Sequence, residues 1–490
     1  MKLIIYIFSV FIICHNGLYL VNLFQQQYYS LTRLFILKKN TIKNYITIKL
    51  PLFYLLAIFV FLYQNKTLGV IILYLSQCLL LTKIKLNEYH FTRRFNMLLA
   101  ILIIISLIMF TNLYFLLSDF IGVFLIFICN YLAFLLANFI MLPIEKIIAK
   151  HYITKAKNKV DKNNYIVIGI TGSYGKTSMK NILYSILKSK YKISSQNHNY
   201  NTVLGLAKYI NDELEDDDDI LIVELGVDEV NAMVKFKKLF LLDFAIITSI
   251  GNMHLATFKN LDNIVKEKMN IAKLLKDNGV LFINKDDCNY KSDYKKVIYT
   301  SRNDICYYDG IPYSLSLYDE RIDTEFVLEY QLSYLSLALK MSEMFSLKKE
   351  EILFGLKRII IPDRRFNISH KGRDIIIDNS YNSNELGFRL GIDLISKFKR
   401  YKVVITGGLF ELGKEYEKVN RDIGSYLKEI DLIILVSQDL NHPLKNGFVS
   451  SSDNKLIQVD DYAKVGRIVD AISDEKVILY TAIGSNATLK

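Results

Sequence analysis

The stretch YIVIGITGSYGKTSMK, residues 165–180, decides the fold. Its β-branched run from Ile166 to Ile168 predicts a buried strand, and the apolar spacing in the following NILYSILKSK predicts a helix. Between them lies a glycine-containing loop, whose backbone N–H groups can close on phosphate oxygens at the start of the helix. This context predicts a phosphate-binding loop composed of Gly172, Ser173, Tyr174, Gly175, Lys176, Thr177 and Ser178.

Two side chains of this loop have expected chemical roles. Lys176 would reach the β- and γ-phosphates of a nucleotide, and the Thr177 hydroxyl would hold Mg²⁺. The strict pattern G-x-x-x-x-G-K-T needs glycine at position 170, where this chain has Ile170. A glycine-containing turn before an ordinary helix is the alternative interpretation.

The composition indicates a membrane portion. The chain has 490 residues, of which 51% are hydrophobic, and its formal net charge is +12. No nucleic-acid motif accompanies the positive charge, and much of the Lys and Arg flanks apolar segments, so we expect a membrane and no nucleic acid as partner. The five cysteines have neither metal-ligand spacing nor a disulfide framework, so we expect them to be reduced.

The first 148 residues are predicted to be a transmembrane region of about five helices. Basic residues are concentrated in the segments after the first, third and fifth apolar spans. By the positive-inside rule, the N-terminus would lie outside and everything after residue 143 in the cytoplasm, at the cytoplasmic (inner) membrane. The second and third spans are short enough to form a helical hairpin, and core helices of a soluble domain are the alternative. The spans are residues 3–24, 52–63, 68–81, 97–117 and 121–142.

The remainder alternates strand and helix patterns, which predicts an α/β architecture with mainly parallel sheets. Its length exceeds one such sheet, so we expect two domains, residues 160–358 and 359–490, joined near residues 356–365. The predicted strands are 165–170, 220–223, 244–248, 280–283, 374–377, 402–406, 432–436 and 476–480.

Polar residues follow several of these strands, where α/β proteins bind ligands. Glu224 ends one strand and offers the carboxylate that the Mg²⁺ of a nucleotide needs. His254 follows the next strand and, taken alone, is more often structural than a ligand. Lys268 lies in a polar helical stretch and by itself indicates a surface lysine. Asn284 follows another strand end.

These segments, taken in order, resemble the Mur ligase family of ATP-dependent amide-bond-forming enzymes of cell-wall synthesis. The loop ITGSYGKTS resembles the T-G-x-x-G-K-[ST] loop of the family, which accounts for Ile170. Several further segments resemble family motifs, and the later ones are especially close to the D-Ala-D-Ala-adding member. They are NHNYNTVLGL (197–206), VELG (223–226), ITSIGNMHLATF (247–258), EKMNI (267–271), GVLFINKDD (279–287), IIIDNSYNSN (375–384) and ITGGLFELG (405–413).

The resemblance implies a fold and an activity. The fold would be a P-loop-containing Mur ligase central domain followed by a Rossmann-like C-terminal domain. The activity would be ATP-dependent addition of D-Ala-D-Ala to UDP-MurNAc-tripeptide through an acyl phosphate, in peptidoglycan precursor synthesis. ATP and two Mg²⁺ ions would be required, and other wall-synthesis enzymes are further expected partners.

The resemblance also implies roles for individual residues. Thr177 and Glu224 would hold one Mg²⁺, and His254 with a carbamylated Lys268 would hold the second. Lys176, His254 and Lys268 would be the catalytic residues. The nucleotide would also contact Asn284 (adenine), Asp378 (ribose) and Arg365 (phosphate), and the substrates would contact Asn199, Asn201, Tyr381, Asn382 and Asn384. For the residues after position 358, turn formation after a strand is the alternative role.

The sequence departs from the family in ways that keep other functions open. Apolar spans replace the usual UDP-sugar-binding domain, and Asn270 stands where the family has Glu. One alternative is a membrane-tethered synthetase with another acceptor, such as poly-γ-glutamate or a lipid-linked precursor. The other is a catalytically inactive membrane scaffold for wall enzymes.

Overall fold

The structure is a computed structural model in which the chain forms two compact units, Met1–Lys150 and His151–Lys490. The predicted spans at 52–63 and 68–81 lie outside the described residues, and so do Asn199, His254 and Asn382. The described residues are 2–26, 29, 90–116, 119–196, 200–251, 255–288, 290–361, 363–381, 384–409, 412, 415–448 and 455–483.

In the described part of the first unit the elements are helices: α1 (Lys2–Gln26), α2 (Arg93–Leu116) and α3 (Asp119–Asn163), which runs on into the second unit. Two helical stretches, Arg93–Leu113 and Cys129–Asn163, are long and apolar enough to cross a membrane by length and composition. The helices therefore lie where three of the five spans were predicted, and membrane crossing stays a prediction.

Neighbouring helices of the first unit are antiparallel. The hydroxyl of Tyr6, near the start of α1, lies 3.0 Å from the hydroxyl of Thr111, near the end of α2. Arg94 at the start of α2 pairs with Glu145 of α3, 2.6 Å from Nε to Oε1. Polar and charged contacts thus mark opposite ends of a largely apolar bundle.

The second unit contains two six-stranded sheets. In the first, all neighbouring strands are parallel and the order is β2-β3-β1-β4-β5-β6. The chain crosses from one side of β1 to the other, which opens a crevice at the carboxyl end of β1. The strands are β1 (Ile166–Thr171), β2 (Ile193–Ser195), β3 (Ile220–Glu224), β4 (Leu242–Ile247), β5 (Leu275–Asn284) and β6 (Val297–Thr300).

Helices cover both faces of this sheet because side chains alternate between them along each strand. Ile168 packs with the helices of one face, whereas Val167 packs on the other face with the last turns of α3. Residues 151–163 therefore belong to the core of the second unit. The helices that follow β1 are α4 (Lys176–Leu187), α5 (Val203–Asp212), α6 (Leu255–Phe258), α7 (Leu261–Met269), α8 (Glu329–Met344) and α9 (Lys349–Leu356).

The second six-stranded sheet has the order β10-β11-β15-β12-β13-β14 and is parallel except for the β10–β11 pair. It comprises β10 (Asn367–Lys371), β11 (Asp374–Asn379), β12 (Tyr401–Thr406), β13 (Leu432–Val436), β14 (Lys455–Val459) and β15 (Lys476–Thr481), with helices α10 (Glu385–Ser396), α11 (Tyr416–Tyr426), α12 (Pro443–Gly447) and α13 (Val465–Asp470). A small antiparallel sheet precedes it, formed by β7 (Cys306–Tyr308), β8 (Ser314–Leu317) and β9 (Glu320–Asp323).

The predicted α/β class with mainly parallel sheets is confirmed, and a strand lies at each of the eight predicted positions. The sequence patterns missed the antiparallel strands β7–β10 and the edge strands β2, β6 and β14. These strands are three to five residues long, too short for a periodicity of two to stand out.

Candidate functional site

The candidate site lies where the carboxyl ends of β3, β1 and β4 meet. In the sheet register Glu224 at the end of β3 is beside Ile170 of β1, and Thr171 is beside Ile247 of β4. The glycine loop, residues 172–175, leaves β1 at this edge and enters α4. The loop, the Glu224 carboxylate and the start of α4 are therefore brought together.

The glycine loop rests on the segment that follows β4. The Ser173 amide donates to the Ser249 carbonyl at 2.9 Å, and the Tyr174 amide donates to the Ser249 hydroxyl oxygen at 2.8 Å. The Ser173 hydroxyl donates to the Gly251 carbonyl at 2.9 Å. These bonds fix the loop before any ligand arrives.

Two positions in the loop require glycine. A Cβ at Gly172 would lie 2.0 Å from the Thr248 hydroxyl oxygen. Gly175 has a φ of 76°, in the left-handed region, and a Cβ there would lie 1.8 Å from the hydroxyl oxygen of the buried Tyr334. Close packing on β4 and α8 thus accounts for both glycines.

Lys176 is the first residue of α4 and folds back over the loop. Its Nζ donates to the Gly172 carbonyl at 2.7 Å. Burial lowers the pKa of Lys176 to about 8, the Glu224 carboxylate opposes this shift, and the Arg365 charge adds to it. The charges of Glu224 and of Arg365, a residue beyond position 358, therefore both act on Lys176.

Thr177 and Glu224 form a pair of oxygen ligands. The Thr177 hydroxyl donates to Glu224 Oε2 at 3.2 Å, and the Glu224 residue is only 8% exposed. A hydroxyl and a carboxylate are hard oxygen donors of the kind that Mg²⁺ prefers. Within the described residues no group of three or more His, Cys, Asp or Glu side chains converges as a metal site.

Lys268 is buried at the end of α7, so the interpretation as a surface lysine is wrong. Burial lowers its pKa well below the ordinary value, and the positive charge of Lys176 adds to the shift, while Glu267 and Asp228 oppose it. Glu267, the preceding residue, is buried as well. Its carboxylate accepts the amides of the preceding loop, Asn231 at 2.8 Å and Met233 at 2.6 Å.

Asn284, at the end of β5, is fully buried and bonded to its own surroundings. Its Nδ2 donates to the Thr248 carbonyl at 3.0 Å and to Asp287 Oδ2 at 3.1 Å. In this state the side chain organises the strand ends, and its contact with adenine stays a prediction. The neighbouring Asp286 accepts from the hydroxyls of Ser301 and Ser333, both at 2.6 Å.

The candidate residues after position 358 lie at the carboxyl end of β11. The Arg365 guanidinium stands 5.1 Å from the centre of the Tyr381 ring, and Asp378 Oδ1 accepts the Ser380 amide at 2.9 Å. Asn384 caps α10 by accepting the Gly387 amide at 2.8 Å. The turn and cap contacts of Asp378 and Asn384 are present, and their ligand contacts stay predictions.

Asn201 packs against the end of β3. Its backbone carbonyl accepts the Gly226 amide at 2.8 Å, and a Cβ at Gly226 would lie 2.6 Å from Asn201 Cγ. The Asn201 side chain therefore lies against Gly226, two residues after Glu224. Ser178, in the first turn of α4, is buried.

Sequence reasoning missed two residues that contact Glu224. Lys180 Nζ lies 3.1 Å from Glu224 Oε1, and the Gln196 side chain bonds both backbone groups of Glu224. The available signal was the spacing: a lysine four residues after Lys176 lies on the same side of α4, among buried apolar residues.

Residues 170–313 match the family described as Mur ligase middle domain. The UDP-N-acetylmuramoyl-tripeptide–D-alanyl-D-alanine ligase of Buchnera aphidicola subsp. Baizongia pistaciae is 27% identical over 61% of this chain and 69% of that protein. The enzyme of the same name from Borreliella burgdorferi is 27% identical over 57% and 64%. The chain thus spans about two thirds of the length of these curated relatives.

Solved structures share the fold. MurF from Thermotoga maritima, in complex with ADP, superposes with a TM-score of 0.60 at 23% identity and covers 68% of this chain and 80% of that one. MurF from Acinetobacter baumannii gives 0.58 at 22% identity, covering 67% and 76%.

Proposed function

We propose that this chain, in which residues 170–313 form a Mur ligase middle domain, is an ATP-dependent ligase that adds D-Ala-D-Ala to UDP-MurNAc-tripeptide. The observation that carries the proposal is the arrangement of Lys176, Thr177 and Glu224 at one sheet edge, with buried Lys268 near enough for the charge of Lys176 to lower its pKa. A scaffold without activity would have no need to retain these charges in a buried site. The names of the relatives supply the substrates.

In the first step a carboxylate oxygen of the tripeptide attacks the γ-phosphorus of ATP, and ADP leaves, which gives an acyl phosphate. Negative charge gathers around the γ-phosphoryl group, so catalysis is mainly positioning and electrostatic stabilisation. Lys176 would exchange the Gly172 carbonyl for phosphate oxygens, while the start of α4 adds partial positive charge. Arg365 would stabilise the same phosphate from the C-terminal side.

Thr177 and Glu224 would hold one Mg²⁺, which neutralises charge on the phosphate oxygens when bound. Lys268 would join His254 at a second ion as a carbamate. The burial of Lys268 favours its neutral amine, the form that adds carbon dioxide. Asn284 would face the adenine and Asp378 the ribose.

In the second step the amine of D-Ala-D-Ala attacks the acyl carbon, phosphate leaves, and the amine loses a proton. The donors and acceptors proposed to orient the tripeptide and the dipeptide are Asn199, Asn201, Tyr381, Asn382 and Asn384.

We further propose that the chain is anchored in the cytoplasmic membrane, with the ligase portion in the cytoplasm. Only 22% of the apolar part of Arg93–Leu113 and 28% of that of Cys129–Asn163 are buried, whereas a core helix of a soluble protein would be mostly buried. Large apolar side chains are exposed on all three helices, for example Phe11, Phe115 and Phe139. A lipid environment accounts for such a surface.

The activity is tested with the full chain in detergent, supplied with Mg-ATP, UDP-MurNAc-tripeptide and D-Ala-D-Ala. Phosphate release that needs both substrates, together with a product of the expected mass, supports the proposal. If ATP is not turned over with any combination of substrates, the interpretation as an inactive scaffold remains.

A second candidate acceptor follows from the apolar helices of the first unit. If they anchor the chain in a membrane as proposed, a lipid-linked muramoyl peptide is the acceptor that competes with the soluble nucleotide. Activity with a lipid-linked acceptor but none with UDP-MurNAc-tripeptide would favour this candidate. Poly-γ-glutamate synthesis is tested in the same assay by adding glutamate.

A further inference from the structure

Lys180 is a buried cation inside the proposed nucleotide site. It lies one helical turn after Lys176 on α4 and is 6% exposed. Its Nζ lies 3.1 Å from Glu224 Oε1 and donates to the Gln196 carbonyl at 2.5 Å. A lysine is rarely this buried unless a charge partner compensates it, and Glu224 is that partner.

The two oxygens of the Glu224 carboxylate have different partners. Oε1 faces the Lys180 ammonium, and Oε2 accepts the Thr177 hydroxyl at 3.2 Å. Lys176, the other nearby ammonium on α4, is bonded to the Gly172 carbonyl instead. Among the described residues, Lys180 is therefore the cation that contacts the Glu224 carboxylate, and it does so at the oxygen that Thr177 does not bond.

Gln196 forms hydrogen bonds with both residues of this pair. Its Nε2 donates to the Glu224 carbonyl at 3.3 Å, and its Oε1 accepts the Glu224 amide at 3.1 Å. Its own carbonyl accepts from Lys180. Gln196 is 1% exposed, so water does not compete for these bonds. Backbone and side chain of Glu224 are thus both held in one orientation.

We propose that Lys180 is a positioning residue for Glu224: by holding Oε1 it presents Oε2 toward Thr177 and thereby sets the affinity of the site for Mg²⁺ when the nucleotide binds. The inference rests on one part of the proposed function, the binding of a nucleotide and Mg²⁺ at this site. Without Lys180, the carboxylate has no fixed orientation, and the Thr177–Glu224 ligand pair is no longer preformed.

A purely structural lysine predicts something different. If Lys180 only balanced a buried charge, its removal would lower stability while leaving the effect of Mg²⁺ on nucleotide affinity unchanged. The discriminating readout is therefore the ratio of nucleotide dissociation constants measured without and with Mg²⁺, here called the magnesium ratio.

The test measures binding of a fluorescent ATP analogue to the full chain in detergent, in EDTA and in excess Mg²⁺. We expect a magnesium ratio of about ten or more for the natural protein, and about threefold or less for Lys180→Met and for Glu224→Gln. Lys180→Arg, which keeps the charge, should retain an intermediate ratio. Lys188→Met, at the exposed end of the same helix, is the matched control and should leave the ratio unchanged.

The double variant K180M/E224Q separates the two roles. If Lys180 acts through Glu224, adding K180M to E224Q changes the magnesium ratio no further. Removal of both charges should also restore the thermal midpoint that K180M alone loses. Lys180→Gln, which keeps a donor for the Gln196 carbonyl, is the second single variant in case K180M does not fold, and the same loss of ratio is expected.

Two results would overturn the inference. One is a natural magnesium ratio in K180M or K180Q; the other is a further fall when K180M is added to E224Q. A natural protein whose nucleotide affinity does not respond to Mg²⁺ would instead remove the proposed metal site, and the inference with it.

Discussion

At the scale of single residues, Lys176 belongs to the phosphate-binding loop and is also proposed to stabilise the transferred phosphate. We predict that Lys176→Ala lowers phosphate release by at least about a hundredfold, because loss of one preformed electrostatic contact to a transition state typically has that effect. Within the described residues, the hydrogen bonds of the Lys176 side chain go to loop carbonyls, so the fold should persist, as circular dichroism would verify. Release at the natural rate would contradict the assignment of the loop. Lys188→Ala on the same helix serves as the control.

Gly175 tests how tightly the glycine loop is packed. Gly175→Ala adds a left-handed φ penalty of about 1 kcal/mol and a clash with the Tyr334 hydroxyl. Gly372→Ala is a matched control, since Gly372 has a φ of 63° but nothing within 4 Å of the added Cβ. We expect Gly175→Ala to lower the thermal midpoint more than Gly372→Ala and to abolish nucleotide binding. Equal shifts for the two variants would show that Tyr334 does not confine the loop.

At the scale of elements, Asp286 ties the end of β5 to the turn after β6 and to α8. Burial raises the pKa of Asp286, but hydrogen bonds from Ser301, Ser333 and the Arg302 amide outweigh this, so the pKa lies below its ordinary value. The ionised group therefore stabilises the fold above a pH of about 3.8, and this contribution is lost as the pH falls below that value.

Substitution of the two adjacent aspartates should have opposite consequences. Asp286→Asn should destabilise the second unit by about 2 kcal/mol at pH 7, with a smaller difference at pH 3, because charge-assisted hydrogen bonds are lost. Burial and the charge of Asp286 raise the pKa of Asp287, so its ionisation destabilises the fold as the pH rises above about 3.8. Asp287→Asn should therefore be neutral or stabilising at pH 7. Thermal unfolding at both pH values measures this, and matching shifts for the two variants would contradict it.

The sequence predicted the long, buried helices and strands well. It did not predict side-chain contacts between residues that are distant in the chain. β1 and α4 follow directly from the β-branched run and the helical spacing of residues 165–187. The burial of Lys268 was not predictable from the polar pattern of its helix, because Lys268 and its neighbour Glu267 are both buried by tertiary packing. The Lys180–Glu224 pair was equally hidden, since it joins a helix to a strand 44 positions later.

At the scale of the whole molecule, the two units have different surfaces. The helices of the first unit expose large apolar side chains, whereas helices cover both six-stranded sheets of the second unit. The exposed apolar surface of the first unit is the observation on which the proposed membrane anchor rests.

We predict that the protein stays in the membrane pellet after washing with high salt and alkaline carbonate, and that detergent releases it. Integral helices resist such washing because the hydrophobic effect holds them in lipid, whereas salt weakens only electrostatic binding. A fluorescent protein fused to the C-terminus should be fluorescent in cells, as expected on the cytoplasmic side. Recovery of the chain in the soluble fraction without detergent would contradict the anchor.

The central claim is that the γ-phosphoryl group of ATP passes through an acyl phosphate on the tripeptide. The most direct measurement supplies the full chain with UDP-MurNAc-tripeptide labelled with ¹⁸O in the reacting carboxylate, unlabelled ATP and D-Ala-D-Ala. The account predicts that each phosphate released carries one ¹⁸O atom, while the other remains in the new amide. Formation of the amide with the lost ¹⁸O atom found in water or in AMP, and none in phosphate, would contradict it.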